Sequence, residues 1–84
     1  MSILILNYSK HLIEKMEQRE IKREWILDTI NNPDKVEKIE EDEVHYFKLI
    51  AEFFNKCLKV VFNSLNKVIV TAHFDRNKTK KGLK

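Results

Sequence analysis

The sequence predicts an α+β domain in which two N-terminal helices pack on one face of a mostly antiparallel four-stranded sheet. Three observations carry this. Apolar residues recur at helical spacing in two early stretches, at Leu12, Ile13 and Met16 and again at Trp25, Ile26, Thr29 and Ile30. Past Pro33 the pattern changes to short runs rich in β-branched and aromatic residues, separated by turn-forming clusters. Helices first and then a meander of strands is the α+β order, with both helices on one side of the sheet.

A short strand at Ile3–Tyr8 opens the chain. Ser9 follows as an N-cap, its hydroxyl placed to satisfy a free backbone N–H of a helix that runs to about Glu20. A second helix covers roughly Arg23–Asn31 and stops at Asn31-Asn32-Pro33, because proline lacks the N–H and restricts the residue before it. Lys35–Glu40 reads as a strand. Val44–Ile50, Leu58–Phe62 and Lys67–Phe74 are the remaining three, with Glu40-Glu41-Asp42-Glu43 and Asn63-Ser64-Leu65-Asn66 as turns. The segment Glu52–Lys56 fits the end of either neighbouring strand. Trp25 and the set Phe47, Phe53, Phe54, Phe62 and Phe74 read as core.

With 84 residues, 43% of them hydrophobic and 35% charged, the chain is one globular domain near the lower size limit for a self-sufficient core. One Gly and one Pro leave no room for a glycine-rich phosphate loop, and neither GxxxxGK nor GxGxxG occurs. Cys57 is the only cysteine, which excludes an internal disulfide and a CxxC metal knuckle. His11, His45, His73 and Cys57 lack any HExxH or short paired spacing, so neither a metal nor a cofactor is expected. Ile3 to Leu6 is too short an apolar run for a signal-peptide core or a membrane span, and the expected location is cytoplasmic. The formal net charge is +3, and residues 75–84 alone sum to +4. Arg76, Lys78, Lys80, Lys81 and Lys84 thus form a basic tail, solubilising in the simplest case and a phosphate-binding arm in the bolder one.

Alternation along the strands predicts which face the helices leave uncovered. In the last strand Val68, Val70, Ala72 and Phe74 point one way, and Ile69, Thr71 and His73 the other. With the wholly apolar row under the helices, Thr71, His73 and, from the preceding strand, Lys59 lie on the uncovered face. If Phe47 and Leu49 are core as well, Tyr46 and Lys48 join them; a slip of one residue exchanges these two for His45. His45 otherwise reads as a plain strand residue. This inventory matches metal-independent RNA cleavage, in which the RNA 2′-hydroxyl is an internal nucleophile. Such chemistry needs a proton carrier near neutral pH, here His73, and cations around the phosphate, here Lys59 and Arg76.

The stretches SKHLIEKMEQREI, NNPDKV and VIVTAHFDR resemble the pattern of a small family of bacterial and archaeal domains grouped with RelE-like toxins in the barnase/colicin/RelE-type ribonuclease superfamily. The likeness runs from about Ser9 to Lys81. It implies a RelE-like arrangement of two helices and four strands and, with it, a toxin-type endoribonuclease. The family's helix histidine falls on His11, its arginine on Arg19 and its strand threonine on Thr71, which the resemblance makes site residues. Where that pattern has Gly after the arginine, this chain has Glu20, so a left-handed helix end costs about 1 kcal/mol more. Where it commonly has Tyr after Thr-Ala, this chain has His73.

His11, Lys15 and Arg19 drift only about 40° per step on a helix and border its apolar face. The bland account has Lys15 snorkelling, Arg19 paired with an acid such as Glu40, and His11 bonded near the helix start. The functional account makes His73 and His11 proton carriers, with Arg19, Lys59 and Arg76 around the phosphate and Thr71 orienting it. Lys48, Tyr46, Lys78, Lys80 and Lys81 would then bind the RNA strand. Expected partners are RNA, including ribosome-associated mRNA, and a cognate antitoxin protein. The rival is a non-catalytic RNA-binding or protein-binding module of the same fold.

Overall fold

The computed structural model describes residues 7–75. It has the predicted α+β architecture. Strand β1 (Asn7–Tyr8) leads into helix α1 (Lys10–Arg19), helix α2 (Arg23–Asn31) and strands β2 (Lys35–Glu40), β3 (Glu43–Ile50), β4 (Lys56–Asn63) and β5 (Val68–Phe74). β2 to β5 form an antiparallel sheet in spatial order, and β1 adds a short parallel rung at the far edge of β5. Helix α1 lies over β5, and α2 over β3 and β4. Residues 1–6 and 76–84, with most of the expected first strand, Arg76 and the tail lysines Lys78, Lys80 and Lys81, lie outside the described residues.

Local chemistry explains the helix ends. Ser9 caps α1 as expected: its Oγ accepts from the Leu12 N–H at 3.0 Å and donates to the Val70 carbonyl at 2.7 Å. At the other end Glu20 adopts the left-handed conformation (φ 54°, ψ 42°). The Ile21 N–H reaches back to the Met16 carbonyl and the Glu20 N–H to that of Glu17, which ties off two orphan acceptors. Ile21 is buried in the core, so this turn launches α2 towards the sheet. Pro33 closes α2, and Asp34 starts β2 by donating its N–H to the Phe47 carbonyl and accepting from Leu49 N–H through its carboxylate.

The core lies between the helices and the sheet, around Leu12, Ile21, Trp25 and Ile26 above and Ile50, Leu58, Val60, Phe62, Ile69 and Ala72 below. Met16 and Phe74 pack against it, as expected. Two expected registers do not hold. In β5 the pairing shifts: Val61 faces Thr71 while Phe62 faces Ile69, so Val70 is an extra residue in a β-bulge. Ile69 therefore takes the place under the helices expected for Val68 and Val70, and Val70 is exposed. Beyond the bulge Ala72 and Phe74 face the helices, and Thr71 and His73 face away, as the alternation predicts.

In β3 the even-numbered residues face the helices. Tyr46 packs on the core with its ring 6.3 Å from Phe62, so it is not on the far face. Lys48 is also on the helix side; its Nζ donates to the Asn32 carbonyl at 3.0 Å and lies 3.9 Å from the Asp28 carboxylate at the end of α2. The slipped register is the one adopted, because Ile50 is needed under α2 and carries 46 and 48 with it. Phe47 and Cys57 are then on the far face, yet 1% and 0% exposed, so that face has an apolar patch of its own. Between β3 and β4 the chain makes a 3-10 turn (Ala51–Phe53), and Phe54 and Asn55 follow with positive φ. Phe54 is 83% exposed, not core.

Candidate functional site

Cross-strand register assembles the site on the sheet face away from the helices. One row runs Phe47, Lys59, His73 across β3, β4 and β5; the adjacent row runs His45, Val61, Thr71. Paired residues on neighbouring antiparallel strands hold their Cβ atoms about 5 Å apart, so Lys59 stands beside His73. Sequence alternation predicts this grouping of Lys59, Thr71 and His73, and the structure brings all three together.

Arg19 joins them from the helix layer. Its Nη1 donates to the Ala72 carbonyl at 3.1 Å, on the outer edge of β5 that β1 leaves unpaired beyond Ile69. It does not pair with Glu40, which is exposed at the opposite edge of the sheet. The Ser9 N–H and hydroxyl serve the Ile69 and Val70 carbonyls on the same edge. An edge that could template another strand is thereby covered, and a cation is held next to His73.

The environment of His73 disfavours its charged form. Burial lowers its pKa below the ordinary 6.5, and the cations of Lys59 and Arg19 lower it further; Asp75 opposes them, and His45 adds a small lowering. A half-buried histidine held neutral beside two cations is a ready proton acceptor at neutral pH.

His11 is elsewhere. It is exposed near the start of α1, two turns before Arg19, and among the described residues no hydrogen bond or ion pair joins it to His73. Lys15, the middle of that stripe, bonds Gln18 at 3.3 Å. The structure supplies instead His45, which the sequence puts on this face only in the slipped register and otherwise reads as a plain strand residue. His45 lies diagonally across from His73 with its Nε2 2.6 Å from the Glu43 carboxylate, and Phe47 meets it edge-on. On the β2 side the row continues to Glu37, which also lies 3.2 Å from Lys35. Spacing could have found this pair, since Glu43 and His45 are two apart in a strand and share a face.

A groove of about 550 Å³ at the end of the sheet is lined by Glu20, Ile21, Lys22, Trp25, Glu52 and Phe53. The Trp25 indole N–H donates to Glu52 at 2.7 Å, and the Lys22 ammonium sits 5.4 Å from the Trp25 ring. None of these residues is among the groups that perturb His73. Among the described residues no group of three or more His, Cys, Asp or Glu side chains is placed to hold a metal ion.

Residues 8–74 match the model of the family described as a domain of unknown function, DUF4258. The chain belongs to the DUF4258 family. No curated protein and no solved structure matches it. The matched span of this DUF4258 domain takes in both helices, every strand of the antiparallel sheet and the whole cluster of Arg19, His45, Lys59, Thr71 and His73. No helix among the described residues is long and apolar enough to cross a membrane.

Proposed function

We propose that this DUF4258 domain is a metal-independent endoribonuclease of the RelE-like toxin type, acting on RNA through its 2′-hydroxyl. The observation that carries the reading is the environment of His73: half-buried, held neutral by burial and by Lys59 and Arg19, on one row with Lys59 and next to Thr71. Cleavage through the 2′-oxygen requires no nucleophile from the protein. It requires a neutral base for the 2′ proton and fixed positive charge for the pentacovalent phosphate.

In this reading His73 accepts the 2′ proton as the 2′-oxygen bonds to phosphorus. Lys59 and Arg19 hold the non-bridging oxygens, whose charge grows in the transition state, and the Thr71 hydroxyl orients one of them. The P–O5′ bond breaks, leaving a 2′,3′-cyclic phosphate and a 5′-hydroxyl. Arg76 and the tail lysines supply further contacts to the strand. A cytoplasmic setting, ribosome-associated mRNA as substrate and a cognate antitoxin as partner belong to the same proposal, on the sequence resemblance to RelE-like toxins.

The test is incubation of the purified protein with single-stranded RNA in EDTA. Cutting that yields 2′,3′-cyclic phosphate ends, and that stops when the cleaved nucleotide is 2′-deoxy, is the expected result. A requirement for a divalent metal, or cutting that survives the 2′-deoxy change, contradicts it. RNA binding without any cutting would point to a binding module.

A further inference from the structure

We propose that His45, positioned by Glu43, is the second proton-transfer group of this site and protonates the leaving 5′-oxygen. The inference rests on the ribonuclease reading above and assigns the half of the chemistry that His73 cannot perform. A base that has just taken the 2′ proton on one side of the phosphate is not the group that delivers a proton to the oxygen departing on the other. In-line displacement calls for two proton carriers on opposite sides of phosphorus.

The far face offers such a pair. His45 and His73 stand at diagonal corners of a three-strand by two-row grid, with Val61 and Lys59 between them on β4. Neighbouring strands lie about 4.8 Å apart and alternate residues about 6.8 Å along a strand. The two backbones are therefore about 12 Å apart, a span that takes one phosphodiester between the two side chains. His45 is close enough to His73 to count, as the smallest of several neighbours, among the groups that lower its pKa. Thr71 and Phe47 occupy the other two corners. The hydroxyl is thus beside one histidine and an apolar wall beside the other.

Glu43 fixes how His45 can act. Its carboxylate is 2.6 Å from Nε2, so that nitrogen carries a proton donated to Glu43, and Nδ1 is the nitrogen left to exchange one with substrate. Glu37 faces His45 from β2, so carboxylates adjoin it both along its own strand and across to the next. Lys59, by contrast, is nearest to His73 and depresses it. The two histidines accordingly have different neighbours, the carboxylates of Glu43 and Glu37 beside His45 and the cations of Lys59 and Arg19 near His73. As the O2′–P bond forms, His73 takes the 2′ proton. As the P–O5′ bond breaks, its electron pair is met by the proton from His45 Nδ1. Exchange with water then returns His73 to neutral and reprotonates His45, so atoms and charge balance over the cycle.

The experiment pairs His45→Ala with two substrates: ordinary RNA, and RNA carrying a single 5′-bridging sulfur at the cleaved linkage. A thiol, with a pKa near ~8.5, leaves as a thiolate and needs no acid. We expect His45→Ala to slow ordinary RNA by about 10²–10⁴-fold and to cut the sulfur substrate within a few-fold of wild type. His73→Ala should be slow on both. Glu43→Gln should lower the rate on ordinary RNA alone and shift the alkaline limb of the pH–rate profile, the one set by the acid. A second measurement avoids mutation: inorganic phosphate added to the wild-type protein should move the ring NMR signals of both His45 and His73, and leave His11 unmoved. Equal slowing of both substrates by His45→Ala, a full rate on ordinary RNA, or a silent His45 ring beside a responsive His73 overturns this assignment while the ribonuclease reading stands. A wild-type protein that cuts no RNA and shows no phosphate response at either ring overturns both.

Discussion

Arg19 donates its Nη1 hydrogen to the Ala72 carbonyl at 3.1 Å, and so brings a cation from the helix layer to the edge of β5, close enough to lower the pKa of His73. One hydrogen bond thus has two consequences. It closes an exposed sheet edge, and it helps keep a neighbouring imidazole neutral.

Separating the two effects is straightforward. Arg19→Ala should raise the pKa of His73 towards its ordinary value, since it removes the second-ranked of the two depressing cations. It should also cost about 0.5–1.5 kcal/mol of stability through the lost bond. Arg19→Lys should keep most of the pKa effect. Ring-proton NMR titration of His73 reads the first quantity and urea unfolding the second. An unchanged His73 titration in Arg19→Ala would remove Arg19 from the site.

His73 also makes stability depend on pH in a defined sense. Its pKa is lower in the folded protein than the 6.5 of the unfolded chain. As pH falls below ~6.5 the unfolded chain takes up the proton first, so stability declines until pH has passed the folded value, and then levels off. His73→Gln should flatten that segment of the stability curve and leave the region above pH 7 unaltered. Urea midpoints measured from pH 4.5 to 8 check this.

Glu20 holds a left-handed conformation that costs a residue with a Cβ about 1 kcal/mol relative to glycine. Glu20→Gly should therefore stabilise the protein by about 0.5–1 kcal/mol, net of the extra freedom glycine gives the unfolded chain. Thermal unfolding measures it. A destabilised variant would mean that the Glu20 side chain makes a contact worth more than the strain.

The Tyr8 hydroxyl is buried without a hydrogen-bond partner among the described residues, and burial pushes its pKa up. Its ring lies 5.2 Å from the Arg23 guanidinium. Tyr8→Phe keeps the ring and removes the stranded hydroxyl, so stability should hold or rise by about 1 kcal/mol. A loss of more than that, by urea titration, would show that the hydroxyl finds a partner.

On the chemistry, His73→Ala should reduce RNA cleavage by about 10²–10⁴-fold while leaving RNA affinity nearly unchanged. Lys59→Ala should instead weaken binding and flatten its salt dependence by about one unit of log–log slope if it contacts a phosphate. Filter binding across a salt series separates the two. A His73→Ala variant that cuts as fast as wild type rules the residue out as base.

What could be read from residues alone follows from how local each determinant is. Ser9 as a cap, the stop at Pro33 and the acidic hairpin end are matters of a few adjacent residues, and all appear as read. The departure from glycine at Glu20 pointed to the strained turn that is found. Lys59, Thr71 and His73 were placed on one face because alternation beyond the bulge is regular. β3 was ambiguous because apolar residues occupy both of its parities: Tyr46 and Ile50 on one, Phe47 and Leu49 on the other. Only the packing of Ile50 under α2 decides between them. The bulge at Val70 could not be seen, since an unbroken run of Val, Ile and Val carries no mark of where a residue is skipped. Phe54 was misplaced because its type says core while its backbone turns it outward. His73 was read from strand alternation, and His11 only from the family resemblance. The exposed helix position of His11 separates them, and it is His45, bonded to Glu43, that shares the sheet face with His73.

Val70 is the residue that two opposed demands on β5 have in common. Ile69 and Ala72 both face the helices to fill the core, and Thr71 and His73 face away from them, whereas strict alternation would put Ile69 on the side of Thr71 and His73. One unpaired residue reconciles the two halves of the strand. The side chain there is exposed and makes no demand of its own, so many substitutions should pass without effect. Its removal would also leave the faces as they are: with Ile69 joined directly to Thr71, plain alternation puts Ile69, Ala72 and Phe74 under the helices and Thr71 and His73 away from them, and what is lost is the Val70 carbonyl that the Ser9 hydroxyl meets. At this position the faces of the strand require neither an identity nor a length, and a library of variants would record it as variable in letter and open to deletion.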